Sequence, residues 1–289
     1  MSNLERPIVG IGEILFDMLP SGAQLGGAPA NFAYHVCRLG GRGVAVSAIG
    51  RDKLGEEVKE ILASKRLEAV LPEVVFPTGV VNVELDGRGV PQYTIIENVA
   101  WDNVPYTPEM KELARNAAAV CFGTLAQRNP VTRATVMGFI ADMPSDSLKV
   151  YDINLRQHFY SRNIIEESLR VADILKINDE EIVVVSDLLG LDSSPEQACR
   201  SLINKYGLRL VILTKGADGS EVITPDTKSS VACPEVKIAD TVGAGDSFTA
   251  AFVNAYLRGE SILECHNIAN RISAFVCSRS GSMPDYDIA

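Results

Sequence analysis

The sequence predicts an α/β protein: a three-layer α/β/α sandwich with a mostly parallel sheet and a small antiparallel β lid. Three observations lead there. Short β-rich runs alternate with helical stretches along most of the chain. The stretches between successive runs are long enough for crossover helices, as parallel pairing requires. Two further strand-like runs, 79–85 and 91–97, meet at Asp86-Gly87-Arg88-Gly89, a hairpin signal that breaks the alternation.

Taken in order, the strands are expected at 8–12, 44–50, 118–122, 148–153, 174–177 and 208–214, each rich in Val, Ile or Leu. Helical periodicity falls between them at 29–39, 55–64, 130–141, 164–171, 180–188 and 196–206. Such βαβ units bury a sheet on both faces. The 79–85 and 91–97 hairpin, joined by 14–19, predicts a flap projecting from the main sheet. A second hairpin is expected from 219–224 and 228–232 around Pro225-Asp226. With no internal repeat, low-complexity tract or long linker, residues 1–289 read as one domain, its lid drawn from about 13–20 and 79–97.

The 289 residues suffice for a large core, and 46% hydrophobic with 22% charged residues is ordinary for a globular protein. A net charge of −10 without a Lys/Arg run argues against nucleic acid as a partner. No apolar stretch approaches the ~18 residues of a membrane span, so no membrane partner is expected. Residues 1–6 are polar and carry no secretory pattern, which points to a cytoplasmic protein. Six scattered cysteines (37, 121, 199, 233, 265, 277), with no CxxC and no zinc spacing, read as reduced thiols. The histidines at 35, 158 and 266 lie far apart, and none is read as a metal ligand or triad member.

Chemistry concentrates in five clusters. Asp240-Thr241-Val242-Gly243-Ala244-Gly245-Asp246 runs into a small-residue apolar helix. Its turn can aim backbone N–H groups into one concavity, and the helix start adds more. Asp246 stands where it could accept a proton from an attacking hydroxyl or simply cap the helix. Gly26-Gly27-Ala28-Pro29-Ala30-Asn31 leads into another helix; Gly27 and Asn31 are candidate ligand contacts, and an ordinary loop is the alternative. Asp17 is a candidate for hydroxyl binding or a solvated loop acid. Asp152, Asn154 and Arg156 close a buried strand and would share one side if the chain stays extended. Asn178 and Glu181 follow another strand, where they could start a helix or hold hydrated Mg²⁺. Thr214-Lys215-Gly216-Ala217-Asp218-Gly219 reads by itself as a turn.

Familiar alternatives fail. There is no GxxxxGK[ST] and no GxSxG, and the fingerprint begun by Gly10-Ile11-Gly12 has Leu15 at its third glycine.

In this order the five clusters resemble the PfkB, or ribokinase-like, family of carbohydrate kinases, from Gly12 to about Pro284. Residues 240–248 are similar to the family's C-terminal signature and 26–40 to its N-terminal one. Gly-Gly-Ala-Pro-Ala-Asn, with Gly12-Glu13-Ile14-Leu15-Phe16-Asp17, most resembles the fructokinase branch. The resemblance implies that Asp246 is the catalytic base and that the N–H groups of Gly243, Ala244, Gly245 and Asp246 form an anion hole. It implies sugar contacts by Asp17, Gly27 and Asn31, and a substrate or phosphate contact by Arg156. Asn178 and Glu181 match a motif that helps hold Mg²⁺ through water. Thr214, Gly216, Gly219 and Asn270 match nucleotide-binding positions. A K⁺ site is implied from Asp240 and the carbonyls of Val242, Val276, Arg279 and Gly281; Asp285 stands where the family has Ser or another small polar residue. The implied reaction transfers the γ-phosphoryl group of ATP, with Mg²⁺ and K⁺, to a sugar hydroxyl. D-fructose O6 is the first acceptor implied, 2-keto-3-deoxygluconate, ribose or a nucleoside the rivals, and a non-catalytic sugar-binding protein the rival class. A homodimer paired through the lid is also expected.

Overall fold

A computed structural model of the chain describes residues 5–19, 22–85, 91–191 and 194–286. Nine strands form the main sheet, in the spatial order Lys228–Val231, Ser220–Ile223, Leu210–Thr214, Ile174–Asn178, Leu148–Asp152, Ala119–Phe122, Pro7–Ile11, Arg42–Val46 and Glu68–Val70. Neighbours run parallel except where Ser220–Ile223 pairs antiparallel on both sides, which is the second expected hairpin.

Strand alternation assigns the two faces. Val9, Ile11, Val44, Val120 and Val211 face the helices Pro108–Asn116, Pro130–Asp142, Arg162–Val171, Asp179–Leu189 and Pro195–Tyr206. Ile8, Ala119, Val150, Ile174 and Ile212 face the other way, onto Ala28–Arg38, Ala244–Leu257 and Ile262–Cys277. Several helices start where the sequence supplies a cap. Asp52, Thr107, Ser161 and Ser261 each accept a backbone N–H from the first turn. Gly190 and Gly207 end two others in the left-handed conformation. Among the described residues no helix is long and apolar enough to cross a membrane.

Several expectations change. The run 44–50 is two strands, because Ile49–Gly50 leaves the main sheet to pair with Glu73–Val74. The Pro108–Asn116 helix is absent from the sequence reading, although Met110, Leu113 and Ala114 recur at helical spacing; Thr107 caps it and Pro108 opens it. The flap is a mixed four-stranded sheet, ordered Gly22–Gly26, Leu15–Leu19, Gly79–Leu85, Pro91–Ile95. Its middle pairing, Leu15–Met18 with Gly79–Asn82, is parallel, and Gly22–Gly26 adds a strand absent from the sequence reading. The strands 79–85 and 91–95 do pair antiparallel, while the hairpin signal at 86–89 lies outside the described residues. Finally, the chain does not stay extended beyond Asp152: Asn154 and Gln157 take φ of 40° and 48°, so Asp152, Asn154 and Arg156 do not line one strand face.

Under the flap, Arg128 joins Asp102 at 2.7 Å and donates to the carbonyl of Ile96, with its guanidinium 4.0 Å from the Trp101 ring centre and 4.4 Å from that of Phe159. Both charged side chains are almost wholly buried, at 6% and 2% exposure. Removing one partner strands the other charge. Arg128→Ala is therefore expected to lower unfolding stability by ~3–5 kcal/mol in urea melts; a loss below ~1 kcal/mol would mean that water reaches Asp102.

Candidate active site

The order of the main sheet reverses between Pro7–Ile11 and Ala119–Phe122, and a crevice opens beyond the C-terminal ends of those strands. Open α/β sheets bind ligands at such a point. Glu13, Pro29, Phe122, Asp152, Asn154 and Asp246 are among the residues lining it.

Asp246 enters from the first turn of Ala244–Leu257, and the helix is capped by Gly243 rather than by Asp246. Gly243 has φ 79°, and a Cβ there would lie 2.8 Å from Ser282 Cβ, so the turn needs glycine twice over. The first intrahelical bond runs from Ser247 N to Gly243 O, and Ala244 N makes a long 3.3 Å bond to Thr241 O. The Gly245 and Asp246 N–H groups stand ahead of that ladder, at the positive end of the helix. The Asp246 carboxylate bonds instead to a side chain: Asn31 Nδ2 donates to its Oδ2 at 2.8 Å, across 215 residues of sequence. Loss of solvent, followed by the charge of Asp152, pushes the Asp246 carboxyl up to about 6, against the Asn31 bond and the charges of Lys176 and Arg156.

Two members of this cluster were not picked out from the sequence. Lys176 is buried, and its Nζ lies 3.1 Å from Asp152 Oδ1 and 3.0 Å from where a Cβ on Gly245 would stand. Burial works against its charge, but Asp152 and Glu181 hold the ammonium above the ordinary lysine value. A lone Lys inside the buried run Ile174–Asn178 was the available signal. Glu13 is 5% exposed, with Oε2 lacking any hydrogen-bond partner. Desolvation pushes its carboxyl up to about 7; hydrogen bonds from its own N–H and that of Ala28, and the charge of Arg156, oppose the shift, and Asp246 adds to it. The acid that interrupts the apolar run after the first strand was its only trace in the sequence.

On the flap, Asp17 is half-buried in Leu15–Leu19, and burial raises its carboxyl while Arg156 lowers it. Arg156 itself is exposed, and its charge acts on Glu13, Asp17 and Asp246 alike. Gly27 has φ 121°, and a Cβ there would meet Glu13 O at 2.4 Å, which fixes the approach of the Ala28–Arg38 helix to the crevice. Asn31 is thus bonded to Asp246, the charge of Arg156 reaches both Asp17 and Asp246, and Gly27 packs against Glu13.

Asn178 and Glu181 form a reciprocal cap. Asn178 Oδ1 accepts from Glu181 N at 2.8 Å, and Glu181 Oε2 accepts from Asn178 N at 2.9 Å. Glu181 Oε1 accepts from Leu155 N at 2.8 Å. Among the described residues no group of three His, Cys, Asp or Glu is arranged to hold a metal ion directly. One carboxylate with free lone pairs suits Mg²⁺ that keeps most of its water.

The remaining candidates lie along the next edge. Thr214 ends its strand opposite Asn178 and Ser220; Gly216 and Gly219 flank the turn that follows. Asn270 Nδ2 donates to Ala232 O at 2.6 Å, tying Ile262–Cys277 to the loop that leads to Asp240. Val236 and Ile238 on that loop, and Val242 just past Asp240, are exposed. Asp240 draws two segments together: Oδ1 accepts from Val242 N at 3.0 Å and Oδ2 from Gly281 N at 3.1 Å. The Val276 carbonyl accepts from Arg279 N at 2.9 Å. Asp285 is engaged by Tyr34 and Lys65.

Raised carboxyls have a stability cost with a definite sign. The folded state favours the protonated form of Glu13, so its contribution is present below its ordinary value of 4.5 and is lost as pH rises through about 7. The stability of the native chain relative to Glu13→Gln should fall by ~3 kcal/mol between pH 4.5 and pH 8. A difference that stays constant over that range would show that Glu13 is solvated.

Comparisons with known proteins identify the family. The pfkB family of carbohydrate kinases matches residues 22–289. The chain is 29% identical to the Pyrococcus horikoshii sugar kinase PH1459 over 297 aligned positions, covering 95% of this chain and 91% of that protein. It is 29% identical to a fructokinase of Solanum tuberosum over 287 positions, covering 94% and 87%. The crystal structure of PH1459 in complex with ATP superposes with a TM-score of 0.80 at 28% identity, over 96% of this chain and 94% of that one. The fold is the ribokinase-like sandwich expected from the sequence, and the chain belongs to the pfkB family of carbohydrate kinases, ATP-dependent enzymes that phosphorylate sugars.

Proposed function

We propose that the protein transfers the γ-phosphoryl group of ATP to a hydroxyl of D-fructose, giving fructose 6-phosphate, with Asp246 as general base. The observation that carries this reading is the Asp246 carboxylate, which lines the crevice from the first turn of Ala244–Leu257 and is held there by Asn31. Asp246 accepts the proton of the attacking hydroxyl while the N–H groups of Gly243, Ala244, Gly245 and Asp246 hold phosphoryl oxygens. Lys176 adds a fixed positive charge beside Gly245. Asp17, Gly27, Asn31 and Arg156 orient the sugar. Thr214, Gly216, Gly219 and Asn270 line the nucleotide edge, with Val236, Ile238 and Val242 against the base. Asn178 and Glu181 would hold Mg²⁺ through water, and the ion would supply charge neutralisation for the transferred group. Asp240 and the carbonyls of Val242, Val276, Arg279 and Gly281 would hold K⁺, which would supply positive charge beside the anion hole. The flap serves as the lid that excludes water, and its exposed edges pair two copies into a dimer. The similarity to the Solanum tuberosum fructokinase and the run 12–17 support fructose over 2-keto-3-deoxygluconate and ribose.

An ADP-release assay with MgATP, K⁺ and each of these sugars tests the reading; turnover greatest with ribose or the keto-acid would overturn the acceptor and keep the kinase. Asp246→Asn should fold, bind MgATP and lose ~10³-fold in kcat. Because the base must be ionised, kcat/KM should fall as pH drops through about 6. Asp17→Ala should raise the sugar KM ~10–100-fold and leave the KM for MgATP alone; equal changes in both would remove Asp17 from the acceptor site.

A further inference from the structure

We propose that Ser282 is a positioning residue for phosphoryl transfer: by fixing the Asn31 amide it fixes the Asp246 carboxylate, and so brings the C-terminal tail into the working of the site. The inference rests on the reading of Asp246 as base.

The hydrogen bonds form one chain. Ser282 Oγ donates to Asn31 Oδ1 at 2.8 Å, and Asn31 Nδ2 donates to Asp246 Oδ2 at 2.8 Å. Asn31 and Ser282 are both buried, at 3% and 4% exposure. An amide can turn end for end with little change of shape, so its direction is set by its partners. The ionised carboxylate only accepts and therefore takes the Nδ2 end. Oδ1 then points away and needs a donor, which the Ser282 hydroxyl supplies. Without that hydroxyl the two orientations become closer in energy. The turned one sets a carbonyl against a carboxylate and is tolerated only when Asp246 is protonated.

Ser282 is itself held. Its carbonyl lies 2.9 Å from His35 Nε2, and His35 Nδ1 lies 2.8 Å from the Tyr286 hydroxyl. A carbonyl only accepts, so Nε2 carries the proton and Nδ1 accepts from Tyr286. Burial pushes this imidazole down to about 4, which keeps it neutral. Tyr34 Oη donates to the carbonyl of Pro284 at 2.7 Å, and Arg38 Nε to that of Tyr286. Residues 282–286 are thus strapped to the helix that carries Asn31. Ser282 also lies against Gly243, the cap of the helix that carries Asp246. One serine therefore touches both halves of the site.

The charged groups facing Asp246 are Glu13 after the first strand, Asp152 and Arg156 at and beyond the end of Leu148–Asp152, and Lys176 from Ile174–Asn178. None of them is altered by a change at Ser282, so a displaced acidic limb reports the Asn31 link.

The test is a double-mutant cycle read in kcat, in both KM values and in the pH profile of kcat/KM, using whichever sugar is turned over fastest. Ser282→Ala should lower kcat ~10-fold, leave the KM for MgATP unchanged and move the acidic limb to higher pH. Ser282→Cys, which keeps a weaker donor of similar size, should fall between the two and covers the case in which the alanine variant folds poorly. In an Asn31→Ala background Ser282→Ala should have no further effect on kcat. The same loss in both backgrounds, or a lowered Tm with kcat and the acidic limb unmoved, would overturn the proposal. Asp246→Asn separates the two readings: full activity there removes the base itself, whereas an inactive Asp246→Asn beside a silent Ser282→Ala removes only the role of Ser282.

Discussion

Around Lys176 the edge of the main sheet gathers Asp152, Glu181 and Asp246, with Glu13 across the crevice. Carboxylates so close repel one another, and desolvation makes each harder to ionise. A single buried ammonium, 3.1 Å from Asp152 and beside Gly245, offsets part of that repulsion. The rest of the site follows from this arrangement. Asp152 stays near Lys176 and accepts from Thr249 Oγ at 3.1 Å, which ties the Asp246 helix to the sheet. Glu181 faces the same charge while capping its own helix and holding the Leu155 N–H. Asp246, desolvated and facing the charge of Asp152, keeps a raised value, which suits the proton acceptor proposed for it.

The topology explains why these residues converge. Strands leave the switch point in opposite directions, so the connections after Pro7–Ile11, Ala119–Phe122 and Leu148–Asp152 all open onto one edge. The helices Ala28–Arg38 and Ala244–Leu257 pack side by side on one face of the sheet and aim their N-termini at that edge. Asn31 and Asp246 meet because they sit in the first turns of these two helices. The flap springs from the same connections: Leu15–Leu19 and Gly22–Gly26 lie between the first strand and the first of the helices.

What the sequence made legible were features with local causes. The α/β alternation, the glycine turn before Asp246 and the paired glycines before Asn31 each have a short-range signature, and each is found in the structure. Features that depend on contacts distant in sequence were not legible. Lys176 reads as an oddity in an apolar run until Asp152 and Gly245 are seen beside it. Glu13 reads as a break in a strand until its carboxyl is found buried in the crevice. Ser282 carries no signal, because its meaning lies in Asn31, 251 residues away. The bend after Asp152 was missed for a related reason: strand alternation was extrapolated past the last ladder bond, where Asn154 turns to positive φ.

The choice of partner for Asp246 follows from the task assigned to it. A lysine or arginine bonded directly to that carboxylate would orient it firmly, but would also stabilise its charge and make it a poor proton acceptor. A neutral amide orients without adding a full charge. It brings a weakness of its own, since an amide has two nearly equivalent ends and must be told which to present. The Ser282 hydroxyl gives that instruction through a donor that carries no charge, and a neutral His35 holds Ser282 in turn. From Tyr286 to Asn31 every group linked toward Asp246 is uncharged, so the line fixes geometry while leaving the basicity of the carboxylate to burial and to the balance of Asp152 against Lys176.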